Sequence, residues 1–489
     1  MGVATFEPRD LPQVLSLRAQ RQSGATALVF EGQSHSYAAL SVRADSIAAT
    51  LWHAWGVRPG DRVAWLGLNH ADQLALLFAL ARIGAMLLPL NFRLAAAEWS
   101  ALVAECGPRH LVHDPIFADA ATALVERHGF AVHGLASLAG GSDRGAPDHA
   151  SAQSTALLVA TSGTTSRPRI AMHTQGNLLA NMRVAAQVQR MTPADRVLTV
   201  LPLFHVGGLC IQTLPALFAG AQVLLHARFT PEATFDALAE HRPTLTLQVP
   251  ATMKALVEHP RWPGAQLGSL RAVWAGSSLL PATLIGAFHS RGVPLCNVYG
   301  ATETGPFSIA LPPEHAFDHV GSCGWPAPGV EVRLEGGEIW LRAHNVVQRY
   351  WPDPPARDAD GWFRTGDLAT VADDGSYAIV GRAKDLIISG GENIHPAEIE
   401  GPLSEHPDVL ECCAFGVPDA AWGEAVAVAV VLRPGAQVGD DELREHLAAR
   451  LARFKLPRHW LRLDALPKTA LGKVQRQSLP ALLRRSLHT

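Results

Sequence analysis

The chain has 489 residues, 48% of them hydrophobic and 17% charged, with a formal net charge of -3. That is apolar enough for a large packed core, and at ~150 residues per domain it implies two to four domains. A slightly acidic balance with scattered basic residues excludes a chain held to nucleic acid by a basic surface.

In chain order, the opening MGVATFEPRDLPQVL has early acidic residues and no apolar signal-peptide core, so a cytoplasmic protein is expected. Residues 37–55 read as a helix and 62–68 as a strand. The most apolar stretch, 71–90, is interrupted by Arg82 and Pro89. It reads as a buried helix (76–83) running into a strand (85–90), not as an integral membrane segment. Residues 134–154, rich in Gly, Ser and Ala, read as a loop, and 156–160 as a buried strand. Further short apolar runs at 196–201, 221–225, 245–249, 270–274 and 294–298 alternate with helical patterns or Gly/Pro turns. Such alternation predicts layered α/β subdomains with largely parallel sheets.

After about residue 330 the pattern changes. Residues 330–341 and 377–380 look like hairpins, with turns at Glu335-Gly336-Gly337 and Asp374-Gly375. A compact α+β pattern follows: helices at 399–404 and 441–451, strands at 409–415 and 425–432. The six cysteines form no C-x-x-C pair, and the 22 histidines form no H-E-x-x-H cluster. Isolated thiols of a reducing compartment are expected rather than a zinc site or a disulfide framework.

The chemistry-bearing stretches come in one order. T-S-G-T-T-S-R-P-R (161–169) follows the strand at 156–160. Taken alone, its composition favours a polar turn over a phosphate-binding loop. After it come P-L-F-H (202–205), N-V-Y-G-A-T-E (297–303), W-F-R-T-G-D (362–367), G-R-A-K-D (381–385), I-S-G-G-E-N-I-H-P-A-E-I-E (388–400) and P-K-T-A-L-G-K (467–473).

This set, covering essentially the whole chain, resembles the adenylate-forming superfamily of acyl-CoA synthetases, nonribosomal adenylation domains and firefly-type luciferases. The motifs are closest to chlorobenzoate-, feruloyl-, succinylbenzoate- and fatty acyl-CoA ligases. The resemblance implies an N-terminal AMP-binding domain over 1–383, which includes a β-barrel-like subdomain. A small mobile α+β domain over 384–489 would carry the catalytic lysine. It also implies ATP and Mg²⁺ as cofactors and CoA as co-substrate.

Residue by residue, the resemblance makes Thr161, Ser162, Gly163, Thr164, Thr165 and Arg169 a triphosphate loop. Hydroxyls and successive backbone N–H groups at a turn suit an anion. The family loop reads T-S-G-[ST]-T-G-x-P-K-G; here Ser166, Arg169 and Ile170 replace glycine, lysine and glycine. Arginine keeps the charge and changes a point charge to a fork.

Tyr299 would stack on adenine and Asn297 would bond its amino group, with Gly276, Ser277, Ser278 and Gly300 lining that pocket. Thr302 would touch the α-phosphate. Glu303, with Thr165, would hold Mg²⁺, which wants oxygen ligands. Asp367 would take both ribose hydroxyls, with Arg382 as a second ribose contact.

Lys473 is the expected adenylation residue, bridging carboxylate and α-phosphate; the chain has few lysines to choose from, namely Lys254, Lys384, Lys455, Lys468 and Lys473. Lys384 falls at the family's hinge. Gly390, Gly391, Glu392 and Asn393 would face pantetheine, and Trp422, Phe454 and Arg458 would hold the CoA nucleotide. Leu456 stands where the chlorobenzoate ligase has an arginine.

His205 would stand beside the acyl carboxylate. The acyl pocket would be formed by Val206, Gly207, Gln248, Val249, Ala275, Val298, Gly300 and Thr304. These are apolar and small, with one amide, which suits an aromatic or medium-chain acid better than a dicarboxylate. The expected function is an ATP-dependent acid:CoA ligase, with a homodimer left open. Two alternatives stand beside it: delivery of acyl-AMP to a carrier protein, and a degenerate ATP-binding homologue with a crippled loop.

Overall fold

A computed structural model describes residues 6–139, 144–161, 169–276, 280–389, 392–419, 422–469 and 472–486. Its contacts divide the chain into two units. One comprises Met1–Leu280, Leu284–Val332 and Leu341–Phe363; the other Pro281–Thr283, Arg333–Trp340 and Arg364–Thr489. The pivot expected between 383 and 384 lies inside the second unit.

The first unit is built on two layered sheets. The larger has nine strands. Its centre is parallel, in the order Leu295–Tyr299, Ala272–Ala275, Leu245–Gln248, Arg196–Thr199, Gln222–Leu225, Thr26–Phe30. Antiparallel strands close its edges, Gln33–Ser36 on one side and Ile309–Ala310 with Trp325–Pro326 on the other. The second sheet has six strands. Arg62–Leu66, Met86–Leu90, His110–His113, Ala131–Gly134 and Thr155–Ala160 run parallel, and Ile170–Thr174 pairs antiparallel with Thr155–Ala160.

Local signals account for the helices between them. Ser36 accepts from the Ala39 N–H and starts Tyr37–Ala49. Thr174 and Asn177 form a capping box at the head of Gln175–Val188, and Thr230 with Pro231 starts Pro231–Glu240. The apolar stretch 71–90 is the helix Ala71–Arg82, buried nearly all round, followed by Met86–Leu90. Among the described residues no helix is long and apolar enough to cross a membrane.

Two features differ from the expected elements. The helix read over 37–55 widens into a π-turn at Thr50–Ala54, and a second π-turn, Leu209–Thr213, follows the P-L-F-H stretch. In each a threonine hydroxyl takes a backbone carbonyl of the preceding turn, Thr50 that of Ser46 (3.1 Å) and Thr213 that of Gly208 (2.6 Å). Such competition loosens α-helical pairing. The stretch 134–154, read as a loop, contains a short 3₁₀ turn, Leu135–Ala139.

The hairpins expected after 330 form a four-stranded sheet, ordered Glu331–Glu335, Glu338–Arg342, Phe363–Val371, Tyr377–Arg382. In the C-terminal sheet, Gly423–Leu432 pairs with Val409–Asp419, Ile387–Ser389 and His459–Arg462. Its period-2 burial is double-sided. Val426, Val428 and Val430 pack with Ile399, Leu403, Leu443 and Leu447 of the helices Pro396–Ser404 and Asp440–Ala448. Ala425, Ala427 and Ala429 pack on the other side with Phe415, Leu479 and Leu483. A strand buried on both faces reads as a continuous apolar run, as this one does.

Candidate active site

The candidate residues of the first unit gather where the parallel strands of the large sheet end. Gln248 is paired in register with Ala275, and Ala275 with Asn297. The carboxyl ends of parallel strands are where open α/β sheets bind ligands. Close backbone approach explains the glycines there. A Cβ on Gly276 would lie 2.8 Å from the Val298 carbonyl oxygen, and one on Gly300 1.7 Å from that of Pro306. We expect Gly300→Ala to destabilise the protein by about 3 kcal/mol, because backbone must move to admit the methyl group. Thermal unfolding reads this directly; an unchanged midpoint would mean the turn is looser than its contacts imply.

Asn297 donates from Nδ2 to the Cys323 sulfur at 3.1 Å. Tyr299 ends the strand, 9% exposed. Beyond it Thr302–Thr304 forms a 3₁₀ turn. The Thr304 hydroxyl, given to the acyl pocket by sequence, accepts from the Ala301 N–H at 2.9 Å and caps its own turn. Gln248 is fully buried, donates to the Thr246 hydroxyl at 3.0 Å, and lines a small cavity with Phe235, Trp262 and Phe288. Val249 caps the helix Pro250–Val257.

His205 caps the short turn Val206–Gly208, its Nδ1 accepting from the Gly207 N–H at 3.0 Å. A neutral His205 therefore carries its proton on Nε2, as a donor. Val206, Gly207, Ala275 and Val298 are buried and small. The P-L-F-H turn is braced by Asn69, which donates to the carbonyls of Leu201 and His226 (both 3.0 Å) and accepts from the Leu203 N–H (2.7 Å).

The stem of the T-S-G-T-T-S-R-P-R stretch is a closed hairpin. Both the N–H and the hydroxyl of Thr161 donate to the Arg169 carbonyl, at 2.7 and 3.0 Å. Ser162, Gly163, Thr164 and Thr165 lie outside the described residues, as do Ser277 and Ser278. Arg169 is exposed, its guanidinium 5.3 Å from the centroid of the Tyr350 ring. The Tyr350 hydroxyl in turn donates to Glu303 Oε1 at 2.9 Å. Sequence reasoning assigned no role to Tyr350, Asn69 or Asn345. Their signal, a lone polar residue inside or beside an apolar run, is too common to single them out.

In the second unit, Asp367 and Arg382 sit opposite each other in register, and Arg382 Nε lies 2.9 Å from Asp367 Oδ1. The two expected ribose contacts are thus partners in an ion pair. Lys384 lies in the 3₁₀ turn Ala383–Asp385. Burial lowers its pKa, with Asp385 opposing and Arg382 and Arg476 adding to the fall. Arg476 bridges Asp385 (2.9 Å) and Glu400 (2.7 Å) and donates to the Ala414 carbonyl (2.9 Å).

Lys473 closes a tight turn: its N–H donates to the Thr469 hydroxyl at 3.2 Å and its carbonyl accepts from the Thr469 N–H at 2.7 Å. Glu392 and Asn393 are exposed on the strand Glu392–Ile394, while Gly390 and Gly391 lie outside the described residues. Trp422 and Phe454 are each 42% exposed, and Arg458 stacks over Trp422 at 4.5 Å. An exposed aromatic carrying a guanidinium is a platform for a planar base with phosphates.

Residues 15–351 match the AMP-binding enzyme family and residues 398–473 match the AMP-binding enzyme C-terminal domain. The chain belongs to the AMP-binding enzyme family, within its acyl-CoA ligases. An indoleacetate–CoA ligase of Aromatoleum aromaticum is 41% identical over 515 residues, covering 97% of this chain and 98% of that one. A feruloyl-CoA synthase of Amycolatopsis is 40% identical over 472 residues, covering 94% and 96%. The fold matches that of the o-succinylbenzoate CoA synthetase of Bacillus subtilis solved with its acyl-adenylate intermediate (TM-score 0.88, 30% identity, 97% and 98% covered). This AMP-binding enzyme shares with those ligases the α/β fold expected from the order of its motifs.

Proposed function

We propose that this AMP-binding enzyme is an ATP-dependent ligase that joins an aromatic monocarboxylic acid to CoA. In the first step a carboxylate oxygen attacks the α-phosphorus of ATP. The bond to the β-phosphate oxygen breaks, giving acyl-AMP and pyrophosphate. In the second step the CoA sulfur, deprotonated, attacks the acyl carbonyl and AMP leaves. The observation that carries this reading is the strand-end cluster. Asn297, Tyr299 and the Thr302–Thr304 turn converge beside a pinned hairpin whose last residue, Arg169, lies over Tyr350 and so next to Glu303.

The roles follow from chemistry. Asn297 and Tyr299 receive adenine, and Asp367 with Arg382 the ribose. Thr302 meets the α-phosphate, and the hairpin with Arg169 the β- and γ-phosphates. His205, with Nε2–H as donor, orients the substrate carboxylate. The buried Val206, Gly207, Ala275 and Val298 leave apolar room for a ring. The two relatives with aromatic acids in their names support that choice of substrate.

The donor set fits Mg²⁺: a half-buried carboxylate, Glu303, with the hydroxyl of Thr302 in the same turn, both hard oxygens. Bound there, Mg²⁺ supplies charge neutralisation to the departing pyrophosphate. Glu303 and Thr165 are the side chains that would hold it. In the second half-reaction Trp422, Arg458 and Phe454 hold the CoA nucleotide, while Lys384 acts as the pivot. The six cysteines are free thiols, which supports a reducing, cytoplasmic setting.

A panel of aromatic, medium-chain and dicarboxylic acids, assayed with ATP, Mg²⁺ and CoA for AMP release, tests the proposal. Aryl-acetic and hydroxycinnamic acids are expected to lead. AMP release that needs a carrier protein instead of CoA would overturn it, as would turnover confined to dicarboxylates.

A further inference from the structure

The acid Glu303 and the cation Arg169 belong to different sheets, and one segment joins them. Residues 343–351 follow the strand Glu338–Arg342 and run along the Thr302–Thr304 turn. Asn345 Nδ2 donates to the Thr304 carbonyl at 2.7 Å and to the Phe307 carbonyl at 3.1 Å. The Val347 N–H donates to the Glu303 carbonyl at 2.8 Å. Then the Tyr350 hydroxyl reaches Glu303 Oε1 at 2.9 Å. Backbone and side chain of Glu303 are therefore both held by this segment.

Its far end holds the phosphate hairpin. Tyr350 forms an antiparallel bridge with Ala171, two residues after Arg169. The Trp351 N–H donates to the Ile170 carbonyl at 2.8 Å, and the Met172 N–H to the Arg349 carbonyl at 3.3 Å. The ring of Tyr350, 6% exposed, has the Arg169 guanidinium 5.3 Å from its centroid. That is within cation–π range.

We infer that Tyr350 is a positioning residue that sets the orientation of both charged groups: its hydroxyl occupies Glu303 Oε1, leaving Oε2 as the oxygen that would take the metal, and its ring carries the Arg169 fork. This rests on the reading of Glu303 and Arg169 given above. A carboxylate free to rotate offers a metal either oxygen, and rotation must be frozen on binding. A carboxylate with one oxygen already bonded meets the ion in a single pose, the general advantage of a hydrogen-bonded ligand. The ring explains how an arginine serves where the family has lysine. Guanidinium planes stack on aromatic faces, and a stacked fork is held in one plane.

Two variants of the full-length chain separate the parts. Tyr350→Phe removes the hydroxyl and keeps the ring; Tyr350→Leu removes both. ATP binding is measured by titration calorimetry with and without Mg²⁺, and AMP release is measured against Mg²⁺ concentration. For Tyr350→Phe the affinity for MgATP and the apparent Mg²⁺ activation constant are each expected to worsen about 10-fold, the scale of one hydrogen bond to a charged group. Its affinity for Mg²⁺-free ATP should fall less, since Arg169 keeps the ring. Tyr350→Leu should add a loss of affinity for Mg²⁺-free ATP, through Arg169.

A Tyr350→Phe enzyme with unchanged Mg²⁺ dependence, or with equal loss of both affinities, overturns the hydroxyl's role. A Tyr350→Leu enzyme identical to Tyr350→Phe overturns the ring's role. Thioester formation from supplied acyl-AMP is expected unchanged in Tyr350→Phe; its loss in step with adenylation would indicate general misfolding and also overturn the assignment. If wild type turns over no acid, the ligase reading fails, while calorimetry still decides the case of Tyr350.

Discussion

Lys473→Ala is expected to lower acyl-adenylate formation at least 100-fold while thioester formation from supplied acyl-AMP and CoA keeps the wild-type rate. Attack of a carboxylate on the α-phosphorus brings two anions together. The charge that accumulates is best met by a cation placed in advance, and removing one such group costs about 10²–10³ in rate. The backbone around Lys473 is held on both sides of its turn. Paired hydrogen bonds between its backbone and Thr469 close the turn that carries it, with Gly472 at φ +79. Lys468 and Val474 bridge the base of that turn. A side chain rising from so short a loop has few backbone states to lose on ordering. Stopped-flow release of pyrophosphate and of AMP separates the halves. Equal loss in both would contradict the role.

Arg476→Met is expected to be the most destabilising single change in the C-terminal part, costing about 3 kcal/mol. Burial alone would lower the guanidinium's pKa, but the carboxylates of Glu400 and Asp385 hold it above its ordinary value. Methionine leaves the Asp385 and Glu400 side chains, 13% and 22% exposed, without their shared cation. Glu400 would still accept the Ala414 N–H at 2.8 Å, so its charge stays in place. Arg476→Lys should recover part of the loss, since an ammonium is a point charge that cannot span both carboxylates and the Ala414 carbonyl. Chemical denaturation of the three proteins reads the order wild type, Lys, Met. A Met variant as stable as wild type would show that Asp385 and Glu400 tolerate each other unpaired.

Because Asp385 lies next to the expected pivot Lys384, the same network bears on motion. Arg382 is tied to Asp367 on one side of the turn and Asp385 to Arg476 on the other. Ala383 and Lys384 are left between two ion pairs, which suits them to absorb a change in backbone angle.

Much of the fold was legible because local chemistry repeats with the period of the element it makes. The runs at 196–201, 245–249, 270–274 and 294–298 became adjacent parallel strands, since β-branched and apolar clusters bounded by Gly or Pro suit buried strands. The double-sided strand Gly423–Leu432 announced itself as an unbroken Ala/Val run. His110–His113 and Ile309–Ala310 were not legible, since the first is half histidine and the second only two residues long. The π-turn at Leu209–Thr213 was invisible because it arises from the Thr213 hydroxyl finding the Gly208 carbonyl.

At the candidate site, residue types and their order were enough to place Asn297, Tyr299, Glu303 and Arg169 in one reading, because adenine, phosphate and metal each demand a restricted side-chain chemistry. Only the tertiary structure decided how those groups are held. Tyr350 reaches Glu303 across 47 positions of chain, Asn345 reaches Thr304 across 41, and Asn69 reaches Leu203 across 134. Asp367 and Arg382 read as two separate ribose contacts until strand register made them partners. Periodicity and capping are written in neighbouring residues, whereas a hydrogen bond or ion pair between distant segments exists only once packing has brought them within about 3 Å.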